Sequence, residues 1–216
     1  MIMDVSPSLQ EPSRDELLRQ QKMFLAGAGS LGRSGVSGQL CETALYLLQH
    51  LPAAREAVLE WYGQVLDGVL ARYSLEAGSS YEEEEMMSGM SRTFTRLVST
   101  SPSPWAPIIS SWALDCLGKL SSKWSSKVCG KSNSLHEKLS CWLKCPVARV
   151  LLDLSADCLS KLMDCSVENK ELIGSTMSDT ESCVAALLET SVRHTPHFDW
   201  VVAHIGSCFP HTGDAC

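Results

Sequence analysis

Four histidines, His194, His197, His204 and His211, fall within 18 residues and are accompanied by Asp199 and Cys208, residue types that hold zinc. On a helix His197 and His204 share a face, and His204 and Cys208 lie one turn apart. A zinc centre needs three or four ligands closed around one point. Pro196 and Pro210 divide this set between segments, and neither HExxH nor a CxxC pair occurs. No metal is expected, and the histidines read as helix-terminal or core residues. The run GAGSLG at 27–32 has the G-x-G-x-x-G spacing that lets a backbone approach a pyrophosphate. It follows a helical segment rather than a strand, Gly35 and Gly38 interrupt the receiving helix, and no later strand offers an acidic ribose ligand. It is expected to be a flexible interhelical loop, with no cofactor bound. A nucleophile needs an adjacent base and a third, orienting group; no GxSxG elbow occurs and no catalytic residue is assigned.

Other residues suggest surfaces rather than reactions. Lys119, Lys123, Lys127 and Lys131 recur every fourth position beside Trp124. On a helix they form a basic strip with one stacking aromatic, suited to RNA or an acidic partner; the alternative is a Ser-rich face of solvated lysines. SSYEEEE at 79–85 sets Glu82 and Glu83 three residues beyond Ser79 and Ser80, a pattern acidophilic kinases accept, or else a solvated acidic linker. Trp105, Trp112, Trp124, Trp142 and Trp200, spread over the helical segments, read as core anchors rather than a peptide-binding face.

The elements carrying these residues read as helices. Val58, Trp61, Tyr62, Val65, Leu66, Val69, Leu70 and Tyr73 recur at steps of three and four, one continuous apolar stripe. That helix is expected to begin near Pro52, where a missing N–H is tolerated, and to end by Gly78. A short helix is expected over 14–25, another over 39–51, and a disordered arm over 1–13. Residues 75–91, with four successive glutamates, read as a flexible acidic connector whose Glu-rich part is expected to open a short helix through Phe94, Leu97 and Val98. Helical patterning resumes at Trp105, a polar stretch at 121–134 interrupts it, and 135–145 is a further helix. Pro146 opens a long helix, 167–179 is expected to be a loop, and 182–192 and 197–206 close the chain. Four helices are expected to start at Pro52, Pro104, Pro146 and Pro196, spaced 52, 42 and 50 residues apart, near the roughly 40–47 of HEAT or armadillo units. The expected fold is all-α, antiparallel helix pairs stacked as an irregular HEAT/armadillo-like array, with an irregular bundle as the alternative.

Bulk properties agree. With 216 residues and 44% hydrophobic content the chain can bury a real core, while 6% aromatics and no sustained alternation leave an all-β fold little support. A net charge of −7 argues against a dedicated nucleic-acid binder. No apolar run approaches the roughly 18–20 residues of a membrane span, and the start lacks the layout of a signal peptide. The ten cysteines mostly sit in apolar helical segments, which suits free thiols in a reducing compartment.

The run SCVAALLETSVRHTPHFDWVVAHIGSCFP at 182–210 resembles a signature block of the N-terminal region of the Integrator complex subunit 5 family. WAPIISSWALDCLGKLSS at 105–122 and LPAAREAVL at 51–59 are similar to the same family at matching places, so the resemblance covers roughly 14–210. It implies a non-catalytic, nuclear helical scaffold of the Integrator complex, acting through protein contacts in promoter-proximal termination by RNA polymerase II and in 3′-end processing of small nuclear RNAs. The implied partners are other Integrator subunits, notably subunit 8, and protein phosphatase 2A through the complex. His197, Phe198, Asp199 and Trp200 match the signature; Phe198 and Trp200 are expected to pack, and Asp199 to cap or pair near a helix start. After Pro210 the chain reads HTGDAC and departs from the family, which continues much further. A truncated or partial form is therefore expected.

Overall fold

The computed structural model describes residues 12–28, 38–73, 79–131, 134–168 and 173–209. Residues 1–11 of the expected arm at 1–13, most of the GAGSLG run, the start of the expected connector at 75–91 and the tail from 210 lie outside them. All regular structure among the described residues is helical: α1 (Arg14–Ala28), α2 (Gly38–His50), a 3-10 turn (Pro52–Ala54), α3 (Arg55–Arg72), α4 (Tyr81–Thr100), α5 (Pro102–Cys129), α6 (Leu135–Lys144), α7 (Pro146–Glu168), α8 (Ile173–Arg193) and α9 (Asp199–Cys208). The fold is an all-α helical array. The chain divides into two compact units, Met1–Tyr62 and Gly63–Cys216, with the junction inside α3. The expected stripe of α3 is buried along its whole length, from Val58 to Tyr73.

In the first unit α1 packs on α2. Ser13 opens α1 by accepting the Glu16 N–H at 3.2 Å, which satisfies one of the helix's orphan donors. Phe24 meets Trp61 edge to face, with centroids 5.6 Å apart. Tyr62 is fully buried and its hydroxyl donates to the Cys41 carbonyl at 3.1 Å, so its polar end does not go unpaired in the core.

In the second unit α3 and α4 run antiparallel, Arg72 at the end of α3 reaching Glu83 at the start of α4, and so do α4 and α5, Phe94 meeting Trp112 across their tight turn. Helix α5 runs parallel both to α3 and to α8. Going down α3, Gly63 faces Cys116 and Asp67 meets Lys123 of α5. Going down α5, Ser103 pairs with Asp179, Asp115 with Arg193, and Ser122 with His194 beyond the end of α8.

Helix α5 is the centre of that unit, packed by α4, α6, α7 and α8. Ala106, Ser110, Ala113, Gly118 and Ser121 are all buried small residues along it, a seam narrow enough for neighbours to approach closely. An added Cβ at Gly118 would overlap the His194 ring, with Cγ and Nε2 2.9 Å away.

Several boundaries differ from the sequence reading. The polar stretch at 121–134 does not interrupt α5, which continues to Cys129: Ser121 is buried, and the neighbouring lysines and Trp124 find partners on α3. Gly130, at φ 60°, ends the helix in a conformation that glycine adopts without a Cβ penalty. The Glu-rich part of the expected connector does open a helix, as the first turn of α4, and that helix runs through 81–100. A capping box there joins Ser80 and Glu83, the Glu83 N–H donating to Ser80 Oγ at 3.3 Å and the Ser80 N–H to Glu83 Oε2 at 3.2 Å. The glutamates thus sit where the helix dipole favours negative charge. The expected loop at 167–179 is largely helix, the end of α7 and the start of α8. Proline marks helix starts less strictly than read. Pro52 opens the 3-10 turn and Pro146 opens α7, but Pro102 rather than Pro104 begins α5, and α9 begins three residues after Pro196.

Candidate functional site

Lys119, Lys123 and Lys127 of the lysine strip lie on α5, as their spacing requires, but their charges are engaged within the protein. Lys119 pairs with Asp115 at 2.6 Å. Lys123 reaches Asp67 at 2.5 Å, and the indole N–H of Trp124 donates to the other Asp67 oxygen at 2.7 Å. Lys127 donates to the carbonyls of Leu70 and Ala71, at 3.2 and 2.6 Å, where α3 leaves its last acceptors unpaired. The ammonium groups of Lys123 and Lys127 sit 5.0 and 5.3 Å from the Trp124 ring centre, so the stacking aromatic already holds two cations. Lys131 is exposed in the turn beyond α5. The arrangement is a clamp between α3 and α5 with Asp67 at its centre. Asp67→Ala is expected to lower stability by about 1–2 kcal/mol, because it removes the acceptor of a half-buried indole N–H and a charge-assisted bond. Lys123→Gln, whose side chain is largely exposed, is expected to cost under about 0.5 kcal/mol. Urea unfolding followed by Trp fluorescence measures both; equal costs would remove Asp67 from the centre of the clamp.

The signature residues divide by burial. Phe198 and Trp200 are buried, His197 and Asp199 exposed. Trp200 stacks on Trp142 of α6, centroids 5.0 Å apart and planes 4° from parallel. Phe198 is the residue before α9 and Asp199 its first residue; no side-chain cap forms, and Asp199 contributes its charge to the first turn instead. Phe198 and Trp200 pack inward at the start of α9, while His197 and Asp199 face solvent.

His194 belongs to the α5 seam, its Nδ1 3.0 Å from Ser122 Oγ. Desolvation holds its imidazolium below the ordinary imidazole range. His204 lies near Asp153 of α7, and His211 is outside the described residues. Among the described residues no three His, Cys, Asp or Glu side chains gather to hold a metal ion. Cys41, Cys116, Cys129, Cys141, Cys145, Cys158, Cys183 and Cys208 are free thiols. Burial pushes Cys41, Cys129 and Cys183 up to about 11 and Cys116 up to about 12, away from the thiolate that nucleophilic chemistry uses. The Cys183 thiol rests against the Ser110 hydroxyl of the α5 seam.

A family model described as the Integrator complex subunit 5 N-terminus matches residues 15–213. The chain belongs to that family. It is 36% identical to Integrator complex subunit 5 of Mus musculus over 224 residues and 26% identical to that of Drosophila melanogaster over 227 residues. These alignments cover 93% and 92% of the chain but 21% of each relative. The chain thus spans about a fifth of the length of the relatives it matches.

In this member of the Integrator subunit 5 N-terminal family, sequence reasoning missed one apolar surface. Met177, Val184, Leu188 and Val192 project from one side of α8, and all four are exposed. An open groove of about 410 Å³ beside them is lined by Met163, Met177, Val184, Ala185 and Leu188. The spacing is helical, but reading 167–179 as a loop cut the stripe before Met177. Among the described residues no helix is long and apolar enough to cross a membrane.

Proposed function

We propose that this chain is a non-catalytic scaffold segment of the Integrator complex, working in the nucleus through protein–protein contacts. In this reading it contributes to promoter-proximal termination by RNA polymerase II and to 3′-end processing of small nuclear RNAs. It docks beside other helical subunits, notably subunit 8, in the part of the complex that supports association of protein phosphatase 2A.

Besides family membership, the observation that carries the reading is the α8 surface. An apolar stripe of four large side chains beside an apolar groove is the kind of face that a helix of a partner covers. Glu181, on the groove, gives that face an acidic edge and favours a partner helix with basic flanks. The lysine strip offers no matching support for an RNA-contacting module, since three of its lysines and Trp124 are already bonded within the protein.

The test is purification of the tagged chain from nuclear extract beside a Leu188→Glu, Val192→Glu variant. Both positions are well exposed, at 59% and 81%, so the variant is expected to fold as the parent does. Integrator subunits are expected with the parent at both low and high salt, and to fall about tenfold or more with the variant. Recovery of none of them by the parent would overturn the proposal, and equal recovery by the variant would remove α8 from it.

A further inference from the structure

Three arginines of the second unit stand together along one groove. A groove of about 630 Å³ runs between α4 and α7 and is lined by Arg92 and Arg96, one turn apart on α4, and by Arg149 of α7. All three are exposed. Among the described residues none of them makes an ion pair, unlike Arg72 and Arg193, which hold Glu83 and Glu189. Asp153, one turn beyond Arg149, feels its charge without a contact of ion-pair length. Ser88 and Ser91 add hydroxyls, Val150 adds apolar surface above the buried Met87, and among the described residues Glu84 is the only carboxylate lining the groove. Its volume falls in the roughly 300–1,000 Å³ range of sites that enclose small ligands.

The geometry points to a binding site for a phosphorylated serine or threonine carried on a peptide segment. Three guanidiniums line the groove against one carboxylate, with Asp153 and Asp157 of α7 beside it, and a phosphate monoester of about −1.5 to −2 suits that concentration of positive groups. Its three terminal oxygens accept from several planar guanidiniums at once, whereas a carboxylate saturates on one or two. The apolar surface of Val150 suits the side chain beside the phosphorylated residue. A nucleic-acid strand fits less well: no aromatic side chain lines the groove for bases to stack on, and Glu84 repels a continuous polyanion. The parallel pairing of α4 with α7 builds the site, because it brings Arg149 to the face on which Arg92 and Arg96 stand. The inference does not depend on the scaffold reading, since neither α8 nor family membership enters it.

The test uses the full chain and a fluorescein-labelled peptide, Gly-Leu-Ala-Leu-phosphoSer-Ala-Leu-Ala-Gly, followed by fluorescence anisotropy at about 0.15 M salt. Versions with Ser and with Glu at the central position are run beside it, as is a single-stranded oligouridine. The phosphopeptide is expected to bind saturably and about tenfold or more tightly than either peptide version. Arg96→Gln with Arg149→Gln is expected to weaken it by about tenfold or more, while Lys131→Gln changes it by less than about twofold. An independent readout needs no variant. Titrating O-phosphoserine into the unaltered chain is expected to shift the side-chain N–H resonances of Arg92, Arg96 and Arg149 before those of Arg72 and Arg193. Equal binding of the serine peptide, equal binding of the glutamate peptide, tighter binding of oligouridine, or shifts spread evenly over the arginines would each overturn the assignment.

Discussion

Trp200→Ala is expected to destabilise the second unit by about 3–5 kcal/mol, the largest single loss among the substitutions considered. The ring is 1% exposed and lies flat on that of Trp142, equally buried. Truncation leaves one face of Trp142 against a void, so lost stacking adds to lost apolar burial. Helix α9 has ten residues, too few to hold a helix in water alone, and Trp200 anchors it together with Phe198, Val201 and Ile205. Urea unfolding measures the loss, and near-UV circular dichroism should show a weaker aromatic signal. Trp142→Ala is expected to cost a similar amount, and the double substitution less than the sum. Tyr81→Ala, at a position 77% exposed, serves as a control expected within about 0.5 kcal/mol of the parent. A loss below about 1 kcal/mol for Trp200→Ala would mean that α9 is held by something other than this stack.

Gly118→Ala is the second case, with an expected loss of about 1–3 kcal/mol from overpacking. In an ordinary helix the same change is favourable by about 1 kcal/mol, since alanine is the better helix former. The sign reverses here because the new methyl meets the His194 ring rather than open space. His194→Ala in the same chain should recover most of the loss, and failure to recover it would place the strain elsewhere. The same contact has a pH signature. Desolvation lowers the His194 pKa on folding, so the unfolded chain takes up this proton more readily. Its neutral form is stabilising at and above neutrality, and that contribution is lost as pH falls from the ordinary value of 6.5 through the lowered one. The urea midpoint of the parent is therefore expected to fall between pH 7 and 5 by more than that of His194→Gln.

How much of this was legible in the sequence depends on what each residue faces. The α3 stripe was plain because its pattern is complete within one helix. The length of α5 was hidden because serines and lysines at 121–127 look like a break until Asp67 and the last carbonyls of α3 are placed opposite them. Spacing told which side of a helix Lys119, Lys123 and Lys127 share, but not that this side was occupied. The acidic run before Met86 was readable as a helix start within a connector but not as a capped one, because its stabilising partners are backbone N–H groups and Arg72, none of which a charge pattern displays. Phe198 and Trp200 were legible as packing residues, whereas the partner of Trp200 was not, since Trp142 lies 58 residues earlier in a different helix. The arginine groove escaped for the same reason: Arg92 and Arg149 share no segment, and only the parallel run of α4 and α7 joins them.

The parallel pairing of α5 with α8 also orders events while the chain is being made. The bonds that tie them, from Ser103, Asp115 and Ser122, span 76, 78 and 72 residues. When α5 leaves the ribosome its own hairpin partner α4 is already available, but the helix that covers Gly118 and Ser110 has not been synthesised. That side of α5 remains open to solvent and to other proteins until residue 193 has emerged, and small, weakly apolar side chains are what it exposes during the wait.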